Sequence, residues 1–380
     1  MTRVAVQPAL LRWAAERSGR EEDDLRAKFP KLELWEQGEA QPTLKQLEQF
    51  ARATHTPVGY LFLPEPPVER VPIPDLRTVA NRHLEHPSPD LLETVYICQQ
   101  RQEWYRDYVR SVGETPHDFV GSARIDDAVV ATAGLIRHAL GFDLEERRQL
   151  PTWTEALRRF IDQADTLGVL VMVSGIVGNN THRSLDPEEF RGFALSDEVA
   201  PLIFVNGADT KAAQMFTVAH ELAHIWLGQS GVSDSQAARV PERGVERWCN
   251  QVAAELLVPI EVLRREYVPT ATLQTEMDRL ARRFKVSTLV VLRRIFDTGA
   301  LTWDDFQRAY DEELERLLAI SRGSGGNFYL TQGARLGKRF ARALVVSTLE
   351  GQTLHRDAFR LLGFSKLETF RELGRSLGVA

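Results

Sequence analysis

Apolar positions along this 380-residue chain recur mostly at helical spacing, and strand-like runs are confined to one short region. Between residues 8 and about 63 the pattern predicts four or five short helices: PALLRWAAERSG, EEDDLRAKF, LELWEQGEAQPT, LKQLEQFARATH and PVGYLFLP. Pro42-Thr43 followed by Leu44, Leu47, Phe50 and Ala51 starts one of them in the manner of an amphipathic helix. Leu91, Leu92, Val95, Cys98, Tyr105 and Val109 predict a helix over about 89–112, and further helices are expected at 125–140 and 153–167. Val218, Leu222, Ile225 and Trp226 form another apolar stripe, with Gly228 as a stop just past the last turn. A helix pair over 270–297 places Leu280 and Phe284 on one side and Val290, Val291 and Ile295 on the next. Three runs break the helical period: Leu167–Ser174, Arg191–Ser196 and Pro201–Asn206. Their β-branched and apolar content predicts a small buried sheet immediately before the stripe at 218–226.

The expected class is therefore α+β and mostly helical. Residues 64–80, PEPPVERVPIPDLRTVAN in their neighbourhood, are too rich in proline for a helix or central strand and read as an extended linker. SRGSGGN, after the helix WDDFQRAYDEELERLLAI, reads as a flexible loop. These breaks divide the chain into a helical domain at 1–66, a Pro-rich linker at 67–88, a domain with the small sheet at 89–299 and a basic helical domain at 300–380.

Composition narrows the class. A hydrophobic fraction of 43% with 26% charged residues is that of a folded globular chain. No apolar run is long enough to span a bilayer, and the amino terminus has no secretory pattern, so a cytoplasmic protein without membrane contact is expected. The two cysteines, Cys98 and Cys249, are far apart and form no CxxC pair, which fits a reducing compartment and offers no thiolate zinc site. Cys249 falls on an apolar helical pattern and is expected in the core.

The chemistry is concentrated in Thr217-Val-Ala-His-Glu-Leu-Ala-His-Ile-Trp-Leu-Gly228. His220 and His224, four apart, leave the same face of a helix one turn apart and can grip one ion. Glu221, one position on, is rotated away from ligation but can reach a water at the metal, the place of a general base. The plain alternative is a pair of histidines satisfied by ordinary hydrogen bonds in a core helix. Catalytic zinc takes three protein ligands and keeps an open position. The next helical pattern, Gly244–Pro259, offers Glu246, Asn250 and Glu255. Glu246 and Asn250 share a face; were Glu246 a ligand, Asn250 could accept a hydrogen bond from the distal nitrogen of a ligand histidine. Glu255 lies about half a turn round the helix from Glu246 and ranks behind it.

TVAHELAHIWLG followed by ERWCNQVAAELLVP resembles the ImmA/IrrE metallopeptidases, over about Gly168 to Ser287. The resemblance implies a zincin-like core, one Zn²⁺ held gluzincin-fashion by His220, His224 and Glu246, and Glu221 as the base. It implies a metalloendopeptidase that cleaves transcriptional repressors silencing stress, phage or mobile-element genes. Trp248 stands where members often carry a second acidic residue. The strand Pro201–Asn206, if at an edge, would pair with an extended peptide. No spacing singles out a further oxyanion donor, and the oligomeric state is not legible.

Leu34-Trp35-Glu36-Gln37-Gly38 through Pro42-Thr43 resembles the signature of Xre-type helix-turn-helix domains. The first 66 residues carry nine Lys/Arg against ten Asp/Glu, however, with Glu33, Glu36 and Glu39 on or near the recognition segment. That balance lacks the usual electrostatic footprint for phosphate. Residues 321–380 are basic, with ten Lys/Arg against four Asp/Glu, and TLHRDAFRLLG, FSK and LETFRELGRSLG suit a second helix-turn-helix or a helical cap with a solvated basic face. If the chain touches DNA, this segment is the first candidate. The competing class is a non-proteolytic regulator or antitoxin-like binding protein with a structural or vestigial zinc site.

Overall fold

The computed structural model describes residues 3–76, 87–233, 244–319 and 335–379, which divide into two units: Met1–Pro72 with Arg82–Val95, and Ile73–Asn81 with Tyr96–Ala380. The loop SRGSGGN falls outside the described residues.

The first unit holds helices α1 (Pro8–Arg17), α2 (Glu22–Lys28), α3 (Leu32–Glu36) and α4 (Leu44–Ala53), then a 3₁₀ turn at Val58–Phe62. Leu10, Leu11, Leu25, Leu32, Trp35, Leu47 and Phe50 pack together at its centre. Thr43 starts α4 with a capping box: its side chain accepts from the Gln46 amide while the Gln46 side chain accepts from the Thr43 amide. Gly38, at φ +77°, closes the Trp35–Gly38 turn in a conformation that suits glycine.

A long helix, α5 (Pro89–Ser111), leads into the second unit, where α6 (Val129–Leu140), α7 (Leu144–Gln149) and α8 (Trp153–Leu167) precede the sheet. The expected strand at Leu167–Ser174 begins later. A capping box at Thr152 and Glu155 starts α8, and Gly168, left-handed at φ +116°, ends it, so Leu167 belongs to the helix. Strand β1 spans Leu170–Ser174, β2 Gly192–Leu195, β3 Leu202–Asn206 and β4 Gly231–Ser233. Every strand residue is buried.

The strand order is β1-β3-β2-β4: β1 runs parallel to β3, and β2 antiparallel to both β3 and β4. The strand expected at Pro201–Asn206 is therefore interior. Its two sides are taken by β1 and β2, and it has no edge to offer a peptide. The outer side of β4 is covered in turn by the end of the Pro-rich segment. Leu76 N–H donates to Val232 O at 2.9 Å and Val232 N–H to Pro74 O at 2.9 Å. At the other margin Gly337, φ +73°, lies so close to Val171 O that a Cβ would stand 2.9 Å from it.

Helices α9 (Lys211–Trp226) and α10 (Gly244–Leu257) pack on each other, α9 also against β2 and β3. Next come α11 (Ile260–Glu266), α12 (Leu273–Phe284), α13 (Thr288–Asp297) and α14 (Trp303–Ala319), then α15 (Lys338–Leu349), α16 (His355–Leu362) and α17 (Leu367–Ser376). The carboxyl end of α16 is tied down by two side chains of the sheet-bearing part. Buried Arg101 donates to Leu361 O at 3.0 Å, and Asn179 Nδ2 to Gly363 O at 2.8 Å. A cation and an amide there meet the free carbonyls and the negative end of the helix dipole. Among the described residues no helix is long and apolar enough to cross a membrane.

Candidate metal centre

Thr210 caps α9, its side chain accepting from Ala213 N–H at 3.2 Å. From Gln214 to Trp226 every residue of the helix is buried. The stretch therefore places two imidazoles and a carboxylate inside an apolar core, where polar groups need partners. The helix ends at Trp226, with Gly228 at φ +68° one residue beyond its C-cap, as its sequence leads one to expect. Gly228 and Gly121 approach each other across this end, and a Cβ on Gly228 would lie 3.0 Å from Gly121 Cα.

His220 Nε2 and His224 Nε2 are 3.1 Å apart. Glu246, in the first turn of α10, brings Oε2 to 3.3 Å from His220 Nε2 and Oε1 to 3.0 Å from His224 Nε2. His220 and His224 are fully buried and Glu246 is 3% exposed. Oε1 of Glu246, despite this proximity, has no hydrogen-bond partner of acceptable geometry among the described residues. The donors thus gather about a common point more than they bond to one another. Zinc at about 2.0–2.2 Å from tetrahedral N and O ligands separates them by roughly 3.3 Å. The spacing and the His₂Glu donor set both fit a metal ion, and the three residues form a buried group that could hold one. Burial pushes the Glu246 carboxyl upward, but His220 and then His224 outweigh it and hold the group well below the ordinary carboxylate range.

Glu221 is fully buried beside this group. Its Oε1 accepts a hydrogen bond from Ser233 Oγ, whereas Oε2 has no partner among the described residues. Burial pushes its carboxyl up to about 8, against the pull of His224 and of the Ser233 hydroxyl. Ser233 and Gly192, which sequence reasoning missed, are cross-strand partners in the β2–β4 pair. Residues directly opposite share a face of the sheet, here the face towards α9. A Cβ at Gly192 would stand 2.6 Å from Thr217 Cγ2, 2.8 Å from Phe204 O and 3.1 Å from Glu221 Oε1. A glycine inside a strand is the one sequence signal that could have marked this close approach.

Asn250 is on the expected face but not in the expected bond. Its Oδ1 and the Nδ1 atoms of His220 and His224 are all buried without hydrogen-bond partners among the described residues. Glu255 is turned away from the metal group. It pairs with Arg294 and accepts from Ile260 N–H at 3.2 Å, joining the end of α10 to α13. Trp248 is core, its indole N–H donating to Asp127 O at 3.1 Å. Cys249 is buried and free, as expected. His182 lies exposed in the 175–189 loop, its amide donating to Asn180 Oδ1 at 3.0 Å.

Residues 164–296 match the peptidase family described as the IrrE N-terminal-like domain, and residues 336–376 match a domain of unknown function. No curated protein matches the chain. The first match supports the ImmA/IrrE family and a metallopeptidase-type function for the segment that contains β1–β4, α9 and α10.

Proposed function

We propose that the chain is a zinc-dependent endopeptidase of gluzincin type, with a zincin-like core in which His220, His224 and Glu246 hold the ion and Glu221 is the general base. The observation that carries this reading is the convergence of three buried residues whose ligand atoms lie 3.0–3.3 Å from one another's, with an oxygen of buried Glu221 alongside that has no partner among the described residues. A structural zinc tends to be closed by four protein ligands and needs no adjacent base.

When bound, the ion supplies Lewis acidity to a scissile carbonyl and to water. Glu221 Oε2 accepts the proton of the attacking water and passes it to the leaving amine. The apolar shell of α9 and α10 keeps that carboxylate in a low dielectric, where charge–charge terms are strong. His220 and His224 come from one helix and Glu246 completes the set from the next, so ligation would tie α9 to α10.

The amino-terminal unit reads as an Xre-type domain and the substrate as a DNA-binding repressor or related regulator, in the cytoplasm. Support comes from the Trp35–Gly38 turn, the Thr43 cap and the family of residues 164–296. DNA contact is assigned first to the basic face of α15–α17.

Glu221→Gln tests the reading. The variant should keep about one zinc per chain and lose roughly 100-fold or more of its hydrolytic rate on a co-encoded repressor. A wild-type protein that takes up no zinc, or a Gln variant with full activity, returns the chain to the class of non-proteolytic regulators.

A further inference from the structure

The pairing of β2 with β4 does more than complete the sheet. Ser233 is fully buried, it sits opposite Gly192, and both face α9. Glu221 enters the space that a side chain at 192 would fill, so its Oε1 is enclosed by Gly192 on one strand and Ser233 on the next. β4 is itself held on both sides. Val232 stands opposite Phe193 within the sheet and exchanges two backbone hydrogen bonds of 2.9 Å with Pro74 and Leu76. Leu76 also lies over Gly231, where a Cβ would meet Leu76 Cδ1 at 2.4 Å. A strand of three residues would be loose alone; clamped between β2 and the Pro74–Leu76 segment it has a defined place, and Ser233 with it.

We infer that Ser233 is a positioning residue for Glu221: its hydroxyl holds Oε1 and reserves Oε2 as the oxygen that handles the proton. This rests on the peptidase reading for Glu221 and adds the means by which that carboxylate is aimed. A glutamate side chain has three rotatable bonds, and the two carboxylate oxygens are interchangeable unless something distinguishes them. Among the described residues a donor on one oxygen and none on the other distinguishes them. Misplacement of a reacting group by about 1 Å can cost on the order of 100-fold in rate, so a donor that fixes the carboxylate belongs to the catalytic apparatus without touching the substrate.

The test uses the full zinc-loaded chain with casein as the hydrolysis probe and acetohydroxamic acid as a metal-directed ligand whose acidic proton is taken by a neighbouring carboxylate. Ser233→Ala removes the donor, and Ser233→Cys keeps the size with a much weaker donor. Ser233→Ala should retain zinc, lose roughly 10- to 100-fold in kcat with KM changed less than about twofold, and bind acetohydroxamate at least about fivefold more weakly. Ser233→Cys should fall between it and the wild type. If Ser233→Ala sheds zinc through misfolding, the Cys variant decides: a lowered kcat with zinc retained supports the inference, and wild-type kinetics overturn it. A kcat within about twofold of wild type in both variants, while Glu221→Gln is inactive, also overturns it. Should the wild type leave casein intact, hydroxamate binding alone decides: weaker binding to Ser233→Ala upholds the positioning, and equal binding ends it; the peptidase reading itself stands or falls separately, on cleavage of the repressor by the wild type and its loss in Glu221→Gln.

Discussion

Glu246 Oε2 lies 3.3 Å from His220 Nε2 across the α9–α10 interface, and its partner oxygen Oε1 is 3.0 Å from His224 Nε2. One carboxylate thus serves both imidazoles, which makes the charge of Glu246 the feature that separates a metal site from a pair of packed histidines. Glu246→Gln keeps shape and volume and removes that charge. Metal affinity, measured by competition with a chromophoric chelator, should drop by more than the roughly 10- to 100-fold that follows loss of a partner behind a ligand. Affinity within a fewfold of wild type would remove Glu246 from the ligand set.

The second glutamate of α10 has a different part. Glu255 and Arg294 are 4% and 6% exposed and paired, and Arg294 also donates to Val258 O at 2.9 Å. Removing Glu255 leaves buried Arg294 with Asp297, at 3.1 Å and partly exposed, as its remaining anionic partner. Glu255→Ala should therefore destabilise the fold by about 1.5–3 kcal/mol in denaturant titration, less than a wholly unpaired buried charge would cost. Glu255→Leu combined with Arg294→Leu should recover much of that loss. In both, zinc stoichiometry of the folded fraction should match wild type; loss of zinc in the double variant would bring Glu255 into the site after all.

Much of this was legible in the chain because it is local. The helix expected over 153–167 is α8, Trp153–Leu167, although the strand expected at Leu167–Ser174 overlaps its last residue. The four-residue spacing of His220 and His224 puts both on one helix face without reference to the rest of the fold. Glu246 was reachable too, since helical period places it with Asn250, and the resemblance to a known family selected it. The sheet order was not reachable. β3 looked like any short apolar strand, and only the non-sequential order β1-β3-β2-β4 makes it interior. β4 is three residues long, too short to show a period. Ser233 and Gly192 meet through strand register, a long-range property, so their link to Glu221 left no trace in spacing. The Asn250 bond failed for a related reason: periodicity sets a helix face but not the reach of a side chain across an interface.

Acid stability should depend in part on Glu276, which is 2% exposed and tied to Arg279 and to the Val268 amide at 2.8–3.1 Å. The Arg279 hydrogen bonds hold its carboxyl below the ordinary value of 4.5, burial opposing them. A depressed carboxylate pKa stabilises the folded chain above the unfolded value, and the contribution is lost as pH falls through the folded value. The gap in Tm between wild type and Glu276→Gln should be full at pH 7, begin to close as pH drops below 4.5 and vanish in stronger acid. A gap that widens on acidification would contradict the sign. Because the Arg279 side chain is 42% exposed, the gap should also shrink in high salt.

Gly192→Ala adds one methyl group where three neighbours leave no room. Phe204 O belongs to the backbone of the interior strand β3 and cannot retreat, and Thr217 is anchored on α9 by donating to Ala213 O at 3.2 Å. Glu221 Oε1 is the remaining movable neighbour, so the strain falls on the proposed base. Overpacking of this kind costs about 1–3 kcal/mol, which should appear as a lower Tm. Hydrolysis well below that Tm should fall further than the unfolded fraction accounts for, because the folded molecules carry a displaced Glu221. Gly134→Ala, on helix α6, is the control. A Cβ there meets nothing nearer than Arg137 Nη2 at 4.0 Å, so its activity should stay near wild type. Equal activity in the two variants would mean that Glu221 tolerates displacement, and that the close fit between β2 and α9 concerns packing alone.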